Sequence, residues 1–272
     1  MTHFISDIGS NHNGSLERAR QLIKASKDIG CWGTKLQYFK ADLLWTKKKT
    51  IAKMKKWELP GEWIPELSDY AHSLGLKFGI TPFFLDAVNE IEPYVDFYKI
   101  GSYEAKWKRL IMACAITEKP LIISAGLITN DEITEILRYL PMEKVAILHC
   151  NSNYPAKVKE CNLERLNEIT EIFVVHDGPK KVIQGTGWSD HTKSPAVIYN
   201  ALAYEPDIIE FHLDLDGKGN EYEHGHCWLP NGIKTIIYVA RQMELSDKCN
   251  KSLPPFKLIK LMTDPKTGRR PY

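Results

Sequence analysis

The sequence lacks the short motifs that would assign a site or a nucleotide-binding fold directly. No GxGxxG follows the first apolar run, and neither CxxC nor HExxH occurs in the chain. A dinucleotide-binding fold therefore loses support, and spacing alone predicts no zinc site. No apolar run approaches the roughly 20 residues that a membrane-spanning helix needs. The first residues, MTHFISDIGSNHNG, lack the basic start and apolar stretch of a signal peptide, which favours a cytoplasmic protein.

An excess of charge of one sign is also missing. The chain has 36 basic and 34 acidic residues and a net charge of +2, so charge gives no reason to expect binding to nucleic acid or to an anionic membrane. A small anionic substrate needs only a few local hydrogen-bond donors, so the near-neutral net charge does not argue against one. The six cysteines form no paired pattern and mostly lie in apolar or mixed runs, which is typical of free thiols in a reducing compartment.

The chain does contain a regular alternation of short apolar runs and longer amphipathic stretches. The short runs are rich in β-branched or aromatic residues, which predicts strands at 3–9, 33–39, 77–83, 97–101, 121–126, 145–150, 182–188 and 207–215. Helical periodicity predicts helices at 15–29, 60–74, 85–94, 106–117, 130–140, 163–170, 195–204 and 232–245. Eight strand–helix units of this kind predict an α/β fold, a closed parallel (β/α)8 TIM barrel.

One large domain accounts for most of the chain. A barrel of this type takes about 250 residues, and we place it at residues 1–245, with 246–272 as a C-terminal extension. Residues 41–59, after the second strand, are expected to form a long loop. A lysine run such as 47–49 is most often a solvated face, and a mobile lid over the site is the sharper alternative.

Polar residues gather at the ends of the predicted strands, where such barrels place their active sites. Lys35 and Lys99 lie inside otherwise apolar strands, and burying an unpaired charge costs several kcal/mol. Either lysine alone would most simply pair with a neighbouring acid. Two of them, with Ser102, Ser124 and Ser189 alongside, favour a site for a phosphate or a carboxylate.

Histidines end two adjacent strands of the predicted barrel. His191 and His212, as neutral imidazoles near carboxylates, are suitable ligands for a divalent transition metal. A lone buried histidine is more often a hydrogen-bonded core residue, which is the alternative for each of them. His12, His224 and His226 are further candidates that the sequence does not rank.

Eight segments together resemble the successive motifs of the sialic acid synthase family. In order, from about Phe4 to Pro230, they read IGSNHNGSLERARQLIKASKDIG, TKLQ, KFGITPF, FYKIGSYE, LIISAG, LHCNSNYP, GWSDHT and IIEFH. The family includes N-acetylneuraminate synthase and its legionaminate and pseudaminate relatives. The resemblance implies a transferase barrel that condenses phosphoenolpyruvate with an open-chain N-acylated amino sugar, using Mn²⁺ or Mg²⁺. Family members are commonly dimers, which makes a homodimer one expectation.

The same resemblance assigns roles to individual residues. The protein ligands of the metal would be His191 and His212. Phosphoenolpyruvate would be bound by Lys35, Thr81, Lys99, Ser102, Ser124, Ser152 and Ser189. The residues that would handle the sugar and the attacking water are Gln37, Tyr154, Asp7, Glu104 and Glu223. One of these three carboxylates would move protons.

Two carboxylates and the end of the chain depart from the family pattern. Asp7 stands where the family usually has Glu, and Glu223 where it usually has Asp, so each carboxylate moves by about one methylene, roughly 1.5 Å. The segment HGHCWLP at 224–230 also differs. The sequence stops before the antifreeze-like domain that gives typical members an arginine at the sugar site. We therefore expect a conventional phosphoenolpyruvate half and an altered acceptor half.

Two other functions remain open from the sequence. Another metal-dependent barrel enzyme, an aldolase or isomerase, would explain the histidines and lysines and predicts a Schiff base on Lys99 or a fuller set of carboxylate ligands. A non-catalytic barrel subunit would keep the fold without turnover, but it gives no reason to keep buried lysines.

Overall fold

A computed structural model describes residues 1–141, 144–175 and 185–252. Eight parallel strands form a closed barrel in chain order, which confirms the predicted (β/α)8 architecture. The strands are β1 His3–Gly9, β2 Gly33–Tyr38, β3 Lys77–Pro82, β4 Phe97–Ile100, β5 Leu121–Ser124, β6 Val145–Cys150, β7 Gly185–Asp190 and β8 Ile208–His212.

Helices follow each strand and cover the outside of the barrel. Their apolar faces pack on outward-facing strand residues such as Phe4, Ile80 and Phe211, which are fully buried. The first helix buries Ala19 and Leu22 on the face that the sequence predicts. The helices are α1 Leu16–Asp28, α2 Ala41–Leu44, α3 Lys48–Met54, α4 Ile64–Ser73, α5 Leu85–Ile91, α6 Lys108–Ile116, α7 Asn130–Leu137, α8 Arg165–Val175, α9 Pro195–Leu202 and α10 Pro230–Ser252.

Inward-facing residues change from apolar to polar along the strands. The lower interior is an apolar plug formed by Ile5, Phe97, Ile122, Ala146, Leu148 and Ile208. Because side chains alternate along a strand, the next inward position lies two residues further on. On β1 and β4 it carries a charged group, so the polar site rests directly on an apolar floor.

Three segments differ from their predicted boundaries. Residues 41–59, expected to be a loop, contain α2, α3 and a 3-10 turn at Lys55–Trp57. The seventh strand occupies Gly185–Asp190, while 182–184 of its predicted range lie outside the described residues. The last helix continues past the proposed boundary at 245 to Ser252, and 253–272 lie outside the described residues. In the part of the chain that the structure describes, no helix is long and apolar enough to cross a membrane.

Candidate active site

A cavity of about 620 Å³ opens at the carboxyl ends of the strands. Its wall includes every residue that the sequence assigns to the site except Ser152 and Glu223: Asp7, Lys35, Gln37, Thr81, Lys99, Ser102, Glu104, Ser124, Tyr154, Ser189, His191 and His212. The parallel strands explain this gathering, because their carboxyl ends meet at one face of a barrel.

Lys35 is a buried cation that already has a counter-charge. Its Nζ lies 2.5 Å from Asp7 Oδ2 and 3.2 Å from Thr81 Oγ1, and both charged side chains are about 97% buried. Burial opposes the charge on Lys35, but the Asp7, Glu210 and Glu221 carboxylates together outweigh it, so the pKa of Lys35 is raised. Burial likewise opposes ionised Asp7, but Lys35 and His212 together outweigh it, so the pKa of Asp7 is lowered. Gln37 Nε2 donates to the same carboxylate at 3.2 Å.

The charge of Lys99 is compensated much less than that of Lys35. Its Nζ donates to Ser124 Oγ at 2.6 Å and to the Ile100 carbonyl at 3.0 Å, both neutral acceptors. The nearest carboxylate oxygen, Oε1 of Glu210, is 3.7 Å away and accepts from Ser189 at 2.9 Å. Burial therefore prevails and lowers the pKa of Lys99. A buried, under-compensated cation beside hydroxyl groups can receive an anion.

Two further predicted residues, Ser152 and Glu104, differ in whether they reach the cavity. Ser152 does not line it and donates to Ser102 Oγ at 2.9 Å, so it supports a lining residue. Glu104 does line the cavity. Burial raises its pKa, against the opposing effect of Lys99. Glu104 is thus the carboxyl group of this wall most able to keep a proton.

His191 and His212 lie close together at the ends of β7 and β8. Their ring centroids are 5.4 Å apart, and the Tyr154 ring lies 4.1 Å from that of His191. His191 Nδ1 is 2.7 Å from the Asn151 carbonyl, which can only accept, so Nδ1 carries the hydrogen and Nε2 offers a lone pair. Burial lowers the pKa of His191, and a neutral imidazole is the form that binds metals.

His212 is held between two carboxylates. Its Nδ1 is 2.9 Å from Glu221 Oε2 and its Nε2 is 3.7 Å from Asp7 Oδ2. Burial opposes protonation, but Asp7 and Glu221 outweigh it, so the pKa of His212 is raised. This site therefore attracts a positive charge, whether a proton or a metal ion.

The structure does not bring Glu223 to the cavity. Its side chain is exposed, whereas Glu221, two residues earlier, lines the wall together with His226. The reason lies in the loop after β8: Glu221 N donates to Asn11 Oδ1 at 2.8 Å, and Trp228 N donates to the His212 carbonyl at 2.8 Å. These contacts fix the loop in a register that its sequence does not reveal. The sequence signals only that two glutamates, Glu221 and Glu223, lie close together here, and not which of them faces the cavity.

The segment 41–59 closes one side of the cavity mouth with large apolar side chains. Those that line the cavity are Leu44, Trp45, Met54 and Trp57, and Phe39 and Phe83 from the neighbouring strand ends extend the same wall. Lys53 is the charged residue of this segment at the cavity. The lysine run at 47–49 is exposed and does not line the cavity, as expected for a solvated face, whereas the apolar side chains on either side of it line the site.

A model described as the NeuB family matches residues 22–251. The chain belongs to the NeuB family. This membership confirms the resemblance that the motifs carry.

Among its relatives is the N,N'-diacetyllegionaminic acid synthase of Legionella pneumophila, 30% identical over 270 residues, which cover 90% of this chain and 73% of that protein. A pseudaminic acid synthase of Campylobacter jejuni is 28% identical over 260 residues, 88% of this chain and 73% of its own. The fold is similar to that of sialic acid synthetase from Leptospira borgpetersenii, with a TM-score of 0.78 and 23% identity over 89% of this chain and 83% of that one. These named relatives are sugar acid synthases, which supports an enzyme of that kind.

Proposed function

We propose that this NeuB family member condenses phosphoenolpyruvate with an aldose, an N-acylated amino sugar or a relative, to give a 2-keto-3-deoxy sugar acid and phosphate. The observation that carries the proposal is the unequal compensation of the two buried lysines. Lys35 has Asp7 at 2.5 Å, whereas Lys99 has no carboxylate oxygen closer than 3.7 Å among the described residues. Lys99 is therefore suited to receive a bound phosphate or carboxylate.

The chain's own groups can bind the donor substrate at the cavity floor. Lys99 and Ser124 form a cation–hydroxyl pair at 2.6 Å, and Ser102 and Ser189 line the same wall. Lys35 and Thr81, whose polar atoms are 3.2 Å apart, also line the cavity, and Lys35 and Lys99 both lie within 4 Å of Glu210. Charge-assisted hydrogen bonds from such donors hold phosphate and carboxylate in a fixed orientation, and fixed orientation is itself a large part of catalysis.

The bond changes follow from the donor's chemistry. The methylene carbon of phosphoenolpyruvate attacks the aldehyde carbon and forms the new C–C bond, and the former aldehyde oxygen takes up a proton. Water adds to the cationic enol carbon and loses one proton, which leaves a hydroxyl group there. The C–O bond to phosphate then breaks as the hydroxyl proton passes to the departing phosphate, and a ketone remains. Glu104, with its raised pKa, is suited to give the first proton. Asp7, with its lowered pKa, is ionised to accept the second.

A divalent metal, Mn²⁺ or Mg²⁺, held at His212 would polarise the aldehyde oxygen as a Lewis acid. His191 is the second ligand that the family resemblance assigns, and its Nε2 lone pair is uncommitted by the hydrogen bond that Nδ1 makes. The two carboxylates flanking His212 favour a cation there. The donor set thus fits a divalent ion.

A phosphate-release assay tests the proposal. The protein is given phosphoenolpyruvate, Mn²⁺ and a panel of aldoses that includes N-acetylmannosamine. We expect release with at least one aldose and none from Lys99→Met. Lys77→Met is the matched control, because Lys77 pairs with Asp96 at the opposite end of the barrel. Failure to bind phosphoenolpyruvate in the presence of Mn²⁺ would contradict the proposal.

An aldolase with a lysine nucleophile is the second candidate. Burial lowers the pKa of Lys99, which favours the neutral amine that forms a Schiff base. Borohydride treatment with pyruvate distinguishes the two functions. A covalent adduct on Lys99 supports the aldolase, and phosphate release without an adduct supports the synthase.

A further inference from the structure

The loop after β5, residues 125–129, is held by an arginine that does not itself line the cavity. Arg165 is the first residue of α8. Its guanidinium group donates from Nη1 to the Ala125 carbonyl at 2.8 Å and from Nη2 to the Ile128 carbonyl at 2.5 Å. Its Nε donates to Asn130 Oδ1 at 3.3 Å. One side chain thus fastens the loop along its whole length.

The residue that Arg165 holds most directly comes immediately after Ser124. Ala125 is fully buried, and its N–H donates to the Leu148 carbonyl of β6 at 2.8 Å. Because its own carbonyl is bound to Arg165, both polar backbone groups of Ala125 are occupied. A residue has only two soft backbone torsions, so fixing both peptide groups of Ala125 restricts where the end of β5 can place the Ser124 hydroxyl group.

Ser124 is the point at which this loop reaches the anion site. Its Oγ accepts from Lys99 Nζ at 2.6 Å, and both residues are buried. A hydroxyl group that accepts from a cation can still donate its own proton to a phosphate or carboxylate. A shift of Ser124 would therefore disturb a cation and a donor together, and a misplacement of about 1 Å in a site can cost on the order of 100-fold in rate.

The same loop also packs tightly against the end of β6. A Cβ built on Gly126 would lie 2.4 Å from Ser152 Oγ and 2.8 Å from the Cys150 carbonyl, so the backbone approaches β6 as closely as only glycine allows. Movement of the loop toward β6 is therefore blocked, and the hydrogen bonds of Arg165 resist its movement away from that strand.

Arg165 is itself held in place by a neighbouring pair of side chains. The Asn130 amide accepts from Arg165 and donates from Nδ2 to Glu168 Oε2 at 2.8 Å, about one turn further along α8. A planar guanidinium group has donors in a rigid fork, which suits it to bind two carbonyls at once. The single ammonium group of a lysine does not reproduce this geometry.

We propose that Arg165 is a positioning residue for the anion site: by binding the loop after β5, it holds Ser124 against Lys99 in the orientation that receives the donor substrate. The inference rests on the proposed function, because that function assigns Ser124 and Lys99 to phosphoenolpyruvate. It adds a residue of α8, outside the cavity wall, to the groups on which donor binding depends.

Calorimetric titration with phosphoenolpyruvate, in the presence of Mn²⁺, measures the effect on binding. We expect Arg165→Met to weaken binding by about tenfold, which is what one hydrogen bond to a charged group contributes. Arg165→Lys should recover part of this loss. Arg241→Met is the matched control and should keep the wild-type affinity, because Arg241 also donates to a backbone carbonyl, that of Thr2 at 2.7 Å, but at the amino end of β1.

A double-mutant cycle separates positioning of Ser124 from general destabilisation. If Arg165 acts through Ser124, adding Arg165→Met to Ser124→Ala should weaken phosphoenolpyruvate binding by less than about threefold further, because the effects of coupled residues do not add. Adding it to Thr81→Val should cause the full loss of about tenfold, because Thr81 contacts Lys35 and shares no partner with Arg165.

Two results would overturn the inference alone: full phosphoenolpyruvate affinity in Arg165→Met, or an equal loss of affinity from this change in the Ser124→Ala and Thr81→Val backgrounds. Urea unfolding curves show whether each variant is folded, and Arg165→Lys takes the place of Arg165→Met in the cycle if the latter is not. Failure of the wild-type chain to bind phosphoenolpyruvate would instead overturn the proposed function and this inference with it.

Discussion

Lys35 and Lys99 differ in how their charges are compensated, and replacing each with methionine should separate stability from binding. Removing Lys35 leaves Asp7 buried without its cation, although Gly9 N and Gln37 still donate to it at 2.9 and 3.2 Å. Breaking a buried ion pair in this way costs about 3–5 kcal/mol. Removing Lys99 deletes a charge that burial disfavours, and Glu210 keeps Ser189 at 2.9 Å and Lys35 at 3.9 Å. The free energy of unfolding should therefore change by less than about 1 kcal/mol, the size of an ordinary hydrogen bond.

Urea unfolding with and without phosphoenolpyruvate measures both effects. A ligand at 100 times its Kd stabilises the folded state by about 2.7 kcal/mol. Wild-type protein should show such a shift, and Lys99→Met should show none despite near-normal stability. Lys35→Met should unfold at markedly lower urea, and adding Asp7→Asn should restore part of the loss because the unpaired charge is then gone.

Two results would refute this reasoning. One is a Lys35→Met protein within about 1 kcal/mol of wild type, which would mean that Asp7 needs no cation. The other is a Lys99→Met protein that is destabilised as much as Lys35→Met, which would make Lys99 a structural residue.

Three further perturbations test the pH response, the barrel floor and the cavity mouth. Burial lowers the pKa of His12 to about 4, against 6.5 in the unfolded chain. Neutral His12 therefore contributes about 3 kcal/mol of stability above pH 6.5, which is lost as the pH falls toward 4. In His12→Gln, the free energy of unfolding should lose this part of its pH dependence. A Cβ on Gly79 would lie 2.2 Å from the Phe97 ring, so Gly79→Ala should destabilise by about 1–3 kcal/mol, and Phe97→Leu should recover part of it. In steady-state kinetics, Trp57→Ala should raise KM for the aldose but not for phosphoenolpyruvate. Trp107→Ala is the control, because Trp107 lies outside the cavity. An equal rise in both KM values would contradict a specific contact between Trp57 and the aldose.

The fold and most of the donor half of the site could be predicted because they depend on short-range pattern. Strand and helix periodicities repeat locally, and eight strand–helix units favour a closed barrel, which brings the strand ends to one face. Lys35 and Lys99 stand on those strands, so their meeting at the cavity follows from the alternation of side chains. The positions of the polar residues on strands could thus be predicted without knowing the loop conformations.

The conformations of the loops depend on contacts between residues that are far apart in the chain. Nothing local to Glu221 and Glu223 indicates which carboxylate turns inward; the choice is made when Asn11, on the loop after β1, binds the backbone of Glu221 at 2.8 Å. The cover over the mouth depends likewise on the packing of α2 and α3. Helix α2 has only four residues and α3 is lysine-rich, so their sequences carry little helical signal.

The sequence by itself determined the barrel, the family and the pair of buried lysines, because each follows from periodicity or from motifs on strands. Tertiary structure alone decided that Lys35 has a carboxylate partner at 2.5 Å, whereas the nearest carboxylate oxygen to Lys99 is at 3.7 Å. It also decided that Glu221 and His226 face His212. The physical reason is the same in both cases: electrostatic compensation depends on separations of a few ångströms between residues far apart in the chain.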